Sequence, residues 1–203
     1  MSLFSRITYG ILVFLTLGVA GYAAQYWLAP LTGGAGPLDN NFGPHVLAIH
    51  ALSGSVALIL GPFQFLAGLR AKRPSVHRLS GKIYVTACLV GGLSGLTLAI
   101  GTQSGPVPAL GFGLMAIAWL VITIGAVRAA MRRDFKAHRA GMIRSYALTM
   151  AAIALRIELP GMLIGGVDPE LAYSIVAWSC WVPNLILAEV WLLARRHPDL
   201  VPA

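Results

Sequence analysis

Charge is what this chain has least of. Only 11% of its 203 residues are Asp, Glu, Lys or Arg, against about 25% in a soluble domain. So small a share excludes an ordinary water-soluble enzyme, a disordered chain and a nucleic-acid-binding domain. Acidic residues are scarcer still, 7 against 15 basic ones. The resulting net charge of +8 would point to nucleic acid only if the basic residues shared a soluble face, and here they stand between long apolar runs. Cysteine is nearly absent. Cys88 and Cys180 lie inside apolar runs, make neither a Cys-x-x-Cys pair nor a secreted disulfide framework, and read as small buried hydrophobes. Also missing are a Gly-rich phosphate loop, a His-Glu-x-x-His pair and paired carboxylates.

What is present is apolar: 57% of the chain is hydrophobic and the mean hydropathy is +0.76. A helical membrane span needs roughly 20 apolar residues. Six such segments can be read: Ile7 to Ala29, His45 to Leu69, Leu79 to Ile100, Val107 to Ala130, Ala140 to Leu163 and Leu171 to Ala194. The breaks carry turn chemistry, at Gly33-Gly34-Ala35-Gly36-Pro37, Gly101 to Pro108 and Gly165 to Pro169. Arg6 before an apolar core imitates a signal peptide, but the stretch is too long for a typical h-region, so a retained span is expected. The expected fold is all-α: a polytopic, six-span membrane protein forming a single membrane domain.

The basic residues choose an orientation. Arg70, Lys72, Arg73, Arg78 and Lys82 separate spans two and three; Arg128, Arg132, Arg133, Lys136 and Arg139 separate spans four and five; Arg195 and Arg196 follow the last span. The other three loops hold Asp39, Asp168 and Glu170 and no Lys or Arg. By the positive-inside rule both termini and the two basic loops face the cytoplasm of a bacterial inner membrane.

The two basic loops resemble each other. Each has His-Arg followed by a nearby Gly, a basic residue and a Tyr: His77-Arg78, Gly81, Lys82, Tyr84 in one, and His138-Arg139, Gly141, Arg144, Tyr146 in the other. This spacing predicts a duplicated helical hairpin of parallel topology, residues 45–106 and 107–165, giving a four-helix core flanked by 1–44 and 166–203. Gly91, Gly92 and Gly95, with Ser53-Gly54-Ser55, would allow close packing. Gly61-Pro62 should kink or end span two, with Gln64 re-satisfying freed backbone groups. No other span looks broken at mid-membrane, which speaks against a small transporter.

Three groups could carry chemistry. The first is the His-Arg pairs. At a helix start the dipole disfavours a positive imidazole, leaving a lone pair for a metal. His77 and His138 could ligate a b-type haem, with Arg78, Lys82, Arg139 and Arg144 meeting its propionates. The same residues suit lipid head groups or another anion. The second is a polar cluster at the outer side: His45, His50, Arg156 and Glu158, a proton or quinone site or a structural cluster. Arg156 and Glu158 are two residues apart and should point to different sides of their helix. The third is Arg144 with Glu189. Each sits six residues inside an interfacial charge, His138 and Arg195 respectively, so they should share a depth and pair.

The order His50-x-x-x-Gly54, Gly61-Pro62-Phe63-Gln64-Phe65, His77-Arg78-x-x-Gly81-Lys82-x-Tyr84, Gly91-Gly92-x-x-Gly95-Leu96, His138-Arg139-x-x-Met142-Ile143-Arg144-Ser145-Tyr146 and Arg156 resembles the bacterial membrane family called domain of unknown function 2306. The likeness runs from about His45 to Arg156. It implies a membrane fold and location and no particular reaction. The histidine-bearing bundle is similar, more distantly, to haem-bearing four-helix cytochrome b cores. Two functions are therefore expected: a b-haem redox subunit near the cytoplasmic face that exchanges electrons with quinone, or a non-enzymatic accessory or assembly subunit binding lipid and partner helices.

Overall fold

A computed structural model describes residues 3–32 and 40–196, with side chains over 7–28 and 40–195. Asp39 and the glycine-rich 33–37 turn lie outside the described residues. The elements are α1 (Leu3–Thr32), α2 (Gly43–Gln64), α3 (Ala67–Lys72), α4 (Pro74–Gly101), α5 (Pro106–Met131), α6 (Phe135–Thr149), α7 (Ala151–Ile164), α8 (Pro169–Ser179) and α9 (Val182–Arg196). They make six helical passes long and apolar enough to cross a membrane.

Proline and short polar side chains set the starts. Pro44, Pro74, Pro106 and Pro169 occupy first-turn positions, where a missing N–H costs nothing. Asp134 accepts a hydrogen bond from the Ala137 N–H at 2.9 Å, and Asp168 accepts from Glu170 and Leu171; both are N-caps. The α5–α6 turn is so tight that Arg133 adopts φ +62°.

α2, α4, α5 and α6 pack as a ring: α2 on α4, α4 on α5, α5 on α6, and α6 back on α2. α4 and α6 therefore face each other across its centre. Glycine permits the close approaches. A Cβ on Gly92 would lie 2.7 Å from Leu120, and one on Gly141 would lie 2.7 Å from the Ala126 Cβ. Gly54, by contrast, has open space around it, and its neighbours make the contacts: Ser53 lies against Gly91 on α4, where an added Cβ would meet it at 3.4 Å, and Ser55 donates to the Ala20 carbonyl on α1 at 3.5 Å as well as to the Ala51 carbonyl of its own helix at 2.8 Å.

The ring holds at the end that carries the basic loops, here called the basic end. Towards the far end it opens, because span five is broken, contrary to expectation. α6 stops at Thr149, and α7 resumes at Ala151 and packs on α8 and α1. At the break the Ile153 N–H bonds to the Met150 carbonyl at 2.9 Å, and the Thr149 hydroxyl donates to the Ser145 carbonyl one turn back at 3.0 Å. Span six breaks as well, between Ser179 and Val182. Pro183 cannot bond to the Ser179 carbonyl and its ring crowds it, and Asn184 donates to the Cys180 carbonyl at 2.9 Å. Nor is span six wholly peripheral: Ala172, Val176 and Ala177 on α8 are fully buried.

Span two ends as its proline suggests, two residues past Pro62. Gln64 does not serve the freed backbone; it donates to the Ser80 Oγ on α4 at 2.8 Å.

Candidate functional site

At the basic end the two histidines hold equivalent positions. His77 is the fourth residue of α4 and His138 the fourth of α6. Their backbone N–H groups bond to the residues just outside each helix, Arg73 at 3.1 Å and Asp134 at 2.9 Å. Tyr84 and Ser145 lie seven residues further on, about two turns. Across the ring the Tyr84 hydroxyl meets the Ser145 hydroxyl at 3.2 Å and that of Thr149 at 3.1 Å. Since two turns bring a helix back to nearly the same face, His77 and His138 start these facing sides at one height. The His138 Nδ1–H donates to the Ala126 carbonyl on α5 at 2.9 Å, which leaves Nε2 with the lone pair. The Nδ1 of His77 is buried without a partner. Arg78 and Arg139 beside them are exposed, and Lys82 points outward too. Arg144 is already engaged: its guanidinium forms a two-pronged ion pair with Glu189 on α9, one prong being Nη2 to Oε2 at 2.7 Å. The depth argument for that pair is borne out, and a propionate would have to displace Glu189 to use Arg144.

Below the histidines the seam is filled. Thr123 on α5 reaches Ser145 at 2.8 Å, so α4, α5 and α6 are tied by hydroxyls of Tyr84, Thr123, Ser145 and Thr149, all buried. A buried polar group is costly unless paired, and here each hydroxyl has a partner. Sequence reading missed this cluster, although hydroxyl residues at one depth in three apolar spans, Tyr84, Thr123 and Ser145, were its signal.

The far end is hollow. Where α7 leaves the ring, a cavity of about 1100 Å³ opens between α1, α2, α4, α5, α7 and α8. His50 and Arg156 both line it. The His50 Nδ1–H donates to the Gly91 carbonyl at 2.9 Å, and Gly95 leaves room for the ring. Arg156 gives one Nη1–H to the Ala152 carbonyl at 3.0 Å and lies 5.8 Å from the Tyr22 ring centre, while its Nε is buried with no partner. The other two members expected in this cluster are elsewhere. His45 is exposed and not on the cavity wall. Glu158 accepts a hydrogen bond from Ser179 on α8, so two residues along the helix do turn it away from Arg156.

The family model described as "Predicted membrane protein (DUF2306)" matches residues 47–192. The chain belongs to this family. The match takes in α3 to α8 whole and most of α2 and α9, and thus both histidines of the basic end as well as His50 and Arg156. No curated protein and no solved structure matches the chain, and the likeness to cytochrome b cores is not shown by these comparisons. Among the described residues of this DUF2306 protein, no three His, Cys, Asp or Glu side chains gather to hold a metal ion; a two-histidine haem site is a different arrangement and requires only a pair.

Proposed function

We propose that this DUF2306 protein is a redox subunit of a membrane, in which His77 and His138 would hold a b-type haem near the basic end. One observation carries the reading: the two histidines start facing sides of α4 and α6 at one height, seven residues above the Tyr84–Ser145 contact. The donor set suits the group. His138 is oriented by the Ala126 carbonyl, as ligating histidines usually are by a second hydrogen bond, and the orphaned Nδ1 of His77 marks a side chain lacking part of its surroundings. Arg78, Lys82 and Arg139 would meet the propionates at the interface. Bound haem would supply one-electron transfer, with quinone as an exchange partner. The loop charges favour a bacterial inner membrane with the basic end and both termini in the cytoplasm.

A dithionite-reduced minus oxidised spectrum tests the ligation. Protein from haem-replete cells should give a b-type signal that His77→Ala and His138→Ala each abolish. A colourless wild-type protein would overturn it in favour of an accessory subunit that binds lipid and partner helices. Orientation is tested separately. Asn41→Cys and Gly105→Cys should react with an impermeant reagent from outside intact cells, and Ala71→Cys should not; external labelling at residue 71 would invert the topology.

A further inference from the structure

We propose that the far-end cavity is a binding site for an apolar monocarboxylate, held by Arg156. Arg156 lies eight residues before the end of α7, about 12 Å down the helix, well inside the span. No carboxylate among the described residues pairs with it; the ion pair they form is Arg144 with Glu189. The nearest acidic side chain on its own helix, Glu158, is turned to Ser179. A cation at such depth is costly unless something offsets its charge, and the Tyr22 ring offers only the modest attraction of an aromatic face.

The free part of the guanidinium selects the head group. With Nη1 committed to Ala152 and Nε buried without a partner among the described residues, Nη2 is the group left to meet a carboxylate from the cavity, and a turn of the side chain that uncovers Nε would add the second of the two parallel N–H bonds that fit a carboxylate. A neutral head would leave the charge uncompensated. A dianionic phosphate would meet a single cation and, at the rim, the like charge of Glu170.

The remainder of the wall selects the body. Leu98, Phe112, Met115 and Leu155 are apolar, and the volume of about 1100 Å³ slightly exceeds the upper limit of common ligand sites, about 1,000 Å³. That space suits a long acyl chain or a fused-ring acid. Two routes lead in. Tyr22, 56% exposed on α1, lies at the lipid-facing edge, while Gln103, Ser104 and Glu170 lie at the aqueous rim. A bilayer fatty acid and a water-borne apolar acid share the chemistry and differ in route.

The test uses the full chain in phosphatidylcholine nanodiscs, with ω-diazirine palmitate as probe and mass spectrometry to map the crosslinks. Crosslinks on cavity-lining residues are expected. Arg156→Gln should cut them at least ten-fold, and Arg156→Lys should retain part of them. Val19→Trp, which narrows the cavity from its α1 wall, should reduce labelling as well; thermal unfolding at the wild-type midpoint shows that these variants are folded. Competition by unlabelled oleate but not by octanoate or benzoate assigns the bilayer route, and the reverse assigns the aqueous one. Equal labelling by the diazirine alcohol, undiminished labelling of Arg156→Gln, stronger competition by lysophosphatidate than by oleate, or no cavity labelling would each overturn the proposal.

Discussion

The two ends of this bundle carry one membrane-embedded arginine each and treat it in opposite ways. Arg144, at the basic end, meets Glu189 in a two-pronged pair above a seam filled by Tyr84, Ser145, Thr149 and Thr123. Arg156, at the far end, borders a cavity and keeps a buried Nε with no partner. The same side chain thus serves the fold in one place and is left available in the other. What separates them is the break at Met150, which keeps α6 in the ring and releases α7 from it.

If that contrast is right, substitutions at the basic end should cost stability and those at the far end should not. The largest effect is expected for Glu189→Ala, which strands the Arg144 charge. The loss should reach about 3 kcal/mol, the low end for a broken buried pair, because the two side chains keep 26% and 39% of their surface exposed. Replacing both, as Arg144→Met with Glu189→Leu, should recover most of it; unfolding in detergent measures both variants. Gly141→Ala comes next. Its Cβ would lie 2.7 Å from the Ala126 Cβ and 3.1 Å from the Ala126 Cα, so α5 and α6 must part, at about 1–3 kcal/mol. Gly54→Ala is its control, since nothing stands within 4 Å of the added carbon, and it should be neutral or stabilising.

Tyr84→Phe should cost about 1 kcal/mol. It removes the bonds to Ser145 and Thr149, whose hydroxyls keep Thr123 and the Ser145 carbonyl as partners. The smallest loss is expected for Arg156→Gln, which breaks no ion pair among the described residues and removes a costly charge from the span, so it should be neutral or stabilising. A large destabilisation there, with none for Glu189→Ala, would erase the contrast between the ends.

Much of the basic end was legible in the chain. The spacing of His77 and His138 from their loops, the depth match of Arg144 with Glu189, and the glycines of α4 and α6 all depend on helical periodicity alone. Gln64 was expected to re-satisfy backbone groups freed by Pro62; its partner is instead Ser80 on another helix, which could not be read locally. Pro183 was a readable breaker of span six that the apolar run concealed. The break in span five had no such mark: the back-bond from Thr149 to Ser145 beside it is one that Ser53 and Ser94 also make inside unbroken helices. The grouping of His45, His50, Arg156 and Glu158 came from depth alone. Depth brought His50 and Arg156 to one cavity, but rotation about the helix axes sent Glu158 to α8 and left His45 exposed.

The sequence by itself determined the class, the six spans, the charge asymmetry of their ends and the depth of each polar side chain. These are one-dimensional properties, set by apolar runs of membrane length and by a rise of about 1.5 Å per residue. Only the tertiary structure decided which helices face each other across the ring, that α7 leaves it, and that a cavity with an unpaired guanidinium opens in its place. Those outcomes depend on azimuth and on the direction of a bend. In a membrane, where lipid tails are as apolar as the helix faces, hydropathy cannot set either; close packing at glycines and hydrogen bonds between helices do.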